Sequence, residues 1–139
     1  MRDANLVIIA DSFPLSEELD ISRLLYAVTD RGANALSSIL GSLRKINLLG
    51  NYCISDASLI SVIKCPNLIE IQVGYSSGVT SNGISSVLCN SKSLNSLVLS
   101  GKQINSAGMT CCIVCSRVLS TLVFGTMKIL DELLDTIVR

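Results

Sequence analysis

Short bursts of alternating apolar and polar residues recur along this chain at a near-constant interval. Their apolar centres, Leu19, Ile46, Ile71, Leu97 and Leu122, are 27, 25, 26 and 25 residues apart. Around each stands Leu-x-x-Leu-x-Leu or a close variant: Ser16/Leu19/Ile21, Leu43/Ile46/Leu48, Leu68/Ile71/Val73, Leu94/Leu97/Leu99 and Leu119/Leu122/Phe124. A period of two over so few residues predicts a short strand with one buried face.

After each burst comes a second apolar anchor (Val28, Ile54, Val79, Ile104, Ile129), and then a stretch whose period changes. Leu59/Val62/Ile63, Ile84/Val87/Leu88, Met109/Cys112/Ile113 and Leu134/Ile137/Val138 follow i, i+3, i+4 spacing, one stripe of a helix. The first copy is looser, with Ala33/Leu36 and then Ile39/Leu40. Polar residues suited to cap a helix stand between anchor and stripe: Thr29-Asp30, Ser55-Asp56, Thr80-Ser81 and Asn105-Ser106. The unit is therefore strand, turn, helix, and neither element buries its apolar face alone. Stacked units join the strands into one parallel sheet and the helices into an outer layer. The expected fold is an α/β leucine-rich-repeat solenoid, curved, with the sheet on the concave side and helices on the convex side. It occupies residues 1–139 as a single domain of about five readable repeats. Leu6 to Ile9 lies only 13 residues before Leu19 and is read as the strand of a degenerate first unit. The last helix, Leu130 to Val138, carries an apolar stripe with no polar cap after it, and the chain begins as abruptly. The array is accordingly expected to be part of a longer one, or to have its ends covered.

Several offsets recurring together resemble a known family. Leu-x-x-Leu-x-Leu, then Ile54-Ser55-Asp56 with Leu59, then Cys65-Pro66-Asn67-Leu68, is similar to the cysteine-containing leucine-rich repeat of F-box/leucine-rich-repeat proteins. Val28-Thr29-Asp30-Arg31-Gly32 and Val79-Thr80-Ser81-Asn82-Gly83-Ile84 look like that family's Ile-Thr-Asp-x-Gly-Leu segment, and Ile104 to Met109 is a looser copy. The resemblance covers roughly residues 16–139. It implies non-catalytic protein recognition, in F-box members the capture of a substrate for an SCF-type ubiquitin ligase. No F-box is visible here. The cysteine usual just after the strand is replaced by Gly50-Asn51, Tyr75-Ser76 and Gly101-Lys102.

Composition narrows the chemistry. The chain is 49% hydrophobic but only 4% aromatic, so its core must be aliphatic. Eleven basic residues balance eleven acidic ones, which argues against steering toward nucleic acid or an anionic membrane. Histidine is absent, which removes the commonest general base and any Ser-His triad. No phosphate-binding loop or nucleophile elbow occurs, so no enzyme activity and no cofactor is expected. Six cysteines without a disulfide framework, no signal-peptide pattern and no glycosylation sequon suit a reducing compartment, cytoplasmic or nuclear.

The most tempting chemical motif is Cys111-Cys112-Ile113-Val114-Cys115. A Cys-x-x-Cys pair can hold zinc or act as a redox centre. Repeat register places Cys112 in the slot of Val62 and Val87, and Cys115 in that of Cys65, so packing explains both and no metal site is assigned. A thiol or zinc protein remains the reading from a different class. The better candidate is the concave sheet face, where residues between the leucines form columns. One reads Glu18, Lys45, Glu70, Ser96, Thr121, and the next reads Asp20, Asn47, Gln72, Val98, Val123. Lys45, Asn47, Glu70, Gln72 and Tyr75 are the expected contacts for another protein, tyrosine being favoured at binding hot spots. A ligase adaptor is a further expected partner if a fuller form carries an F-box. A scaffold, or a receptor fragment unrelated to ubiquitin, is the alternative.

Overall fold

The computed structural model describes residues 2–91, 93–100 and the backbone of 121–124. Helix α1 (Asp3–Ser12) leads into strands β1 (Glu18–Asp20) and β2 (Leu25–Thr29) and helix α2 (Asp30–Ile39). Then come β3 (Lys45–Asn47), β4 (Asn51–Cys53), α3 (Asp56–Val62), β5 (Glu70–Gly74), α4 (Ser81–Asn90), β6 (Ser96–Ser100) and β7 (Thr121–Phe124). Strands β1, β3, β5, β6 and β7 form one parallel sheet in that order, and the helices pack in sequence, α1 on α2, α2 on α3 and α3 on α4. The strand centres read from the sequence fall in register, Leu19 with Ile46, Ile46 with Ile71, Ile71 with Leu97 and Leu97 with Leu122. The second anchors Val28, Ile54 and Val79 are buried, as are Leu59, Val62, Ile84 and Val87 on the helical stripes. The helical stripes expected at Met109 and Leu134, and the Cys111–Cys115 cluster, lie outside the described residues.

The opening stretch corrects an expectation. Leu6 to Ile9 is not a strand but lies inside α1. Leu6 and Ala10, four residues apart, are each 1% exposed, whereas Ile8 between them is 63% exposed. That is helical spacing with one buried stripe. A short, continuous apolar run does not distinguish the two periods by itself. The structure breaks the tie with Asn5, whose Oδ1 accepts the Arg2 backbone N–H at 3.0 Å and ties down the first turn.

A second, unexpected pairing is the two-stranded parallel sheet of β2 and β4, where the sequence had suggested only turns. It follows from how each unit leaves the main sheet. Arg23, Gly50 and Tyr75 occupy one repeat position, and all three take left-handed backbone, at φ +58°, +71° and +57°. Their N–H groups donate to Leu49, Gly74 and Ser100 carbonyls, extending the ladder by one residue before the chain turns. Only at position 50 is that conformation met by glycine. Asn51 and Ser76, one residue later, satisfy carbonyls where the family's cysteine would stand. Asn51 Nδ2 donates to the Ile21 and Leu48 carbonyls, both at 2.9 Å, and Ser76 Oγ donates to the Asn51 carbonyl.

The helical layer is tied together by a repeating carboxylate clamp. Thr29, Ser55 and Thr80 are the N-cap residues of α2, α3 and α4, as the sequence suggested. Their hydroxyls, however, donate backwards, to the acid that opens the preceding helix. Asp3 accepts the Thr29 N–H and hydroxyl at 2.9 and 2.5 Å. Asp30 accepts the Ser55 N–H and hydroxyl at 2.8 and 2.7 Å, and Asp56 those of Thr80 at 2.7 and 2.6 Å. The third helical residue must then leave room for the carboxylate. A Cβ on Gly32 would lie 2.2 Å from Asp3 Oδ1, and one on Gly83 would lie 2.1 Å from Asp56 Oδ1. Ser58 holds that position in α3 and uses its hydroxyl as a further donor to Asp30. The Thr/Ser-Asp-x-Gly pattern is thus an inter-repeat joint as much as a helix start.

Burial pushes the Asp30 carboxyl toward a higher pKa, but hydrogen bonds from Ser58 and Ser55 outweigh it and hold the group below the usual carboxylate range. Cys65 closes the packing at the other end of α3. It is 2% exposed, with Sγ 3.6 Å from the Leu40 carbonyl, and burial raises its thiol pKa.

Candidate functional site

The open face of the main sheet is built by alternation. In β1, β3, β5 and β6 the leucine-type positions turn toward the core, so the residues between them face outward. Register then aligns them across strands. Glu18, Lys45, Glu70, Ser96 and Thr121 form one row; Asp20, Asn47, Gln72, Val98 and Val123 form the other. These are the two columns expected from the repeat.

Hydrogen bonds along and across the rows order the described side chains. Asn47 Nδ2 donates to Asp20 Oδ2 at 3.3 Å, while Asn47 Oδ1 accepts the Leu49 N–H at 3.1 Å. Ser96 Oγ donates to Glu70 Oε1 at 3.2 Å, and Gln72 Nε2 to Glu70 Oε2 at 3.4 Å. Lys45 Nζ lies 3.7 Å from Glu18 Oε1, and both side chains are largely exposed, so this ion pair orients more than it stabilises. Asp20 stays readily ionised because the Ser22 hydroxyl and N–H, and then Asn47, bond to it.

Of the expected contact residues, Lys45, Asn47, Glu70 and Gln72 line one shallow depression of about 280 Å³, together with Glu18 and Asp20. Tyr75 does not line it. It stands just past the end of β5, 51% exposed, on left-handed backbone. A bulky residue there stores roughly 1 kcal/mol of strain. Glu18 and Asp20 stood in the columns but not among the expected contacts. Tyr26 and Tyr52 were missed altogether. Their rings pack edge to face with centroids 5.3 Å apart, on β2 and β4, and both are exposed. Their 26-residue separation, one repeat, was the available signal.

Among the described residues no group of three or more cysteine, aspartate or glutamate side chains converges as a metal site. Cys53 and Cys89 are exposed and Cys65 is buried. No described helix is long and apolar enough to cross a membrane.

Neither a protein-family model nor a curated protein sequence matches this chain. Solved structures do. The tropomodulin C-terminal domain from Caenorhabditis elegans superposes with a TM-score of 0.67 at 16% identity, over 99% of this chain and 90% of that one. Leiomodin-1 actin-binding site 2 gives 0.71 at 12% identity, over 98% and 84%. A chain of the yeast Rad7–Elc1 complex gives 0.63 at 18% identity, and this protein spans 32% of that chain. At these identities the likeness is one of fold. It places the protein in the leucine-rich-repeat-like α/β class.

Proposed function

We propose that this protein is a non-catalytic protein-binding module, a curved solenoid that holds its partner on the concave, open face of the main sheet. Glu18, Asp20, Lys45, Asn47, Glu70 and Gln72 form the polar half of that contact, and Tyr75 forms its rim. One observation carries the reading: two in-register rows of outward side chains, ordered by hydrogen bonds on a sheet whose opposite face is closely packed along β3, β5 and β6. Such a surface is preorganised, and little side-chain entropy is lost when it is covered. No catalytic group is invoked. The biological setting we favour is substrate recognition in an SCF-type ubiquitin ligase, in the cytoplasm or nucleus, which the repeat motif supports.

Actin is the second reading, favoured by the overlap of nearly the whole chain with the leiomodin-1 actin-binding site. Three experiments test the face and separate these settings. Photo-crosslinking residues placed at Gln72 and at Ile60, which is exposed on α3, should trap a common adduct at position 72 alone. Equal trapping at both sites removes the sheet face from consideration. Co-sedimentation with actin filaments, abolished by Tyr75→Ala with Gln72→Ala, would replace the ubiquitin setting. Failure of the complete gene product to co-purify with the ligase adaptor would sink it.

A further inference from the structure

The edge of the main sheet at β1 carries a further site. Among the described residues β1 pairs only with β3. The Glu17 carbonyl accepts the Arg44 and Lys45 N–H groups at 2.7 and 2.9 Å, and the Ile21 N–H donates to the Asn47 carbonyl at 3.1 Å. Alternation in a parallel ladder then turns the backbone groups of Glu18 and Asp20 the other way, to the outer edge. The helical layer extends one element further than the sheet does. Helix α1 packs on α2 as each later helix packs on its neighbour, but no described strand lies beside β1 beneath it.

The packing registers this. Ile46, Ile71 and Leu97 are each at most 2% exposed, whereas their in-register partner Leu19 is only half-buried. Beside it opens an apolar cavity of about 220 Å³, walled by Leu6, Ile9 and Phe13 from α1 and its end, and by Leu19, Ile21 and Leu24. This exceeds the roughly 150 Å³ apolar cavity known to take up benzene.

We propose that this edge binds an extended segment of a partner protein with aliphatic residues at alternate positions and basic residues between them, which adds to the sheet as a strand. The main-chain groups of Glu18 and Asp20 supply the hydrogen bonds. The inward side chains of the added strand enter the cavity. Its outward side chains lie beside Glu18 and Asp20, and these carboxylates select lysine or arginine there. The nearest opposing charge on the two rows, Lys45, is on the far side, against Glu18. A second copy of this chain is disfavoured as occupant, because edge-to-edge pairing would set Glu18 and Asp20 against the same carboxylates. The site shares the Glu18 and Asp20 carboxylates with the open face. Its main-chain hydrogen bonds and its cavity belong to the β1 edge alone, so loss of binding on peptide N-methylation tests it apart from the proposed function.

The test uses the full chain and a labelled, end-blocked peptide, Lys-Val-Lys-Val-Lys-Val-Lys, followed by fluorescence anisotropy. N-methylation of alternate peptide residues should weaken binding by about tenfold or more, the effect of one or two lost hydrogen bonds. Replacing its lysines by glutamate should do the same. Glu18→Pro removes an outward N–H without touching the β3 bonds and should abolish binding, whereas Glu18→Gln should lose only a few-fold. Should Glu18→Pro unfold, the methylated peptide decides alone. Equal binding of the methylated peptide, or absence of binding by the unmodified one, overturns the proposal. So does concentration-dependent dimerisation that Glu18→Pro removes, since the occupant would then be a second copy.

Discussion

Gly83→Ala is a substitution for which helix propensity and the carboxylate clamp predict opposite signs. In an ordinary helix interior it should stabilise by about 1 kcal/mol. Here the new methyl would sit 2.1 Å from Asp56 Oδ1, so the carboxylate has to leave. Asp56 would lose the Thr80 N–H and hydroxyl, at 2.7 and 2.6 Å. Hydrogen bonds to a charged group contribute about 1.5–3 kcal/mol each, and Thr80 is exposed, so roughly 2–3 kcal/mol for the pair is reasonable. The single variant should therefore be less stable than wild type by about 1–2 kcal/mol after the propensity gain. Asp56→Ala alone should cost about 2–3 kcal/mol, with a small extra loss because an acid leaves the first turn of α3. Once Asp56 is gone, Gly83→Ala has nothing to displace and should stabilise by about 1 kcal/mol. A urea-unfolding double-mutant cycle reads the coupling directly, about 2–3 kcal/mol. If Gly83→Ala has the same effect with and without Asp56, or stabilises the wild-type background, the clamp does not hold the repeats together.

Three further outcomes follow from the same structure. Asp30 is held below its ordinary pKa of 3.8, so its contribution is present above that value and is lost as pH falls through the folded one. Wild type should lose more stability than Asp30→Asn between about pH 5 and pH 2, measured by thermal denaturation; parallel losses would contradict this. Asn51→Ala leaves the Ile21 and Leu48 carbonyls without their donor in a buried site and should cost about 1–3 kcal/mol in urea unfolding. Cys65, buried and with a raised thiol pKa, should resist iodoacetamide at neutral pH while exposed Cys53 reacts, as read by mass spectrometry.

The sheet was legible because two independent periodicities agreed, alternation within each strand and a repeat of about 26 residues between strands. Together they place Lys45 opposite both Glu18 and Glu70, and Asn47 opposite both Asp20 and Gln72. The first element was misread because Leu6 to Ala10 is apolar throughout and has no repeat partner to supply its period. The clamp was only half legible. Thr29, Ser55 and Thr80 look like caps from local pattern, but their acceptors are 24 to 26 residues away, and nothing local distinguishes capping from bridging. The left-handed backbone at Tyr75 was hidden for a similar reason. Gly50 hints at the conformation, but tyrosine argues against it, and only the Ser100 carbonyl beyond β5 explains why the chain accepts the strain.

That strain offers the most direct test of the sheet face as the binding surface. Tyr75→Gly relaxes a left-handed residue and removes the rim aromatic at once. Stability in urea should hold or rise by up to about 1 kcal/mol, while affinity for the partner trapped at Gln72 should fall by about tenfold or more. Unchanged affinity in a variant at least as stable as wild type would contradict the account.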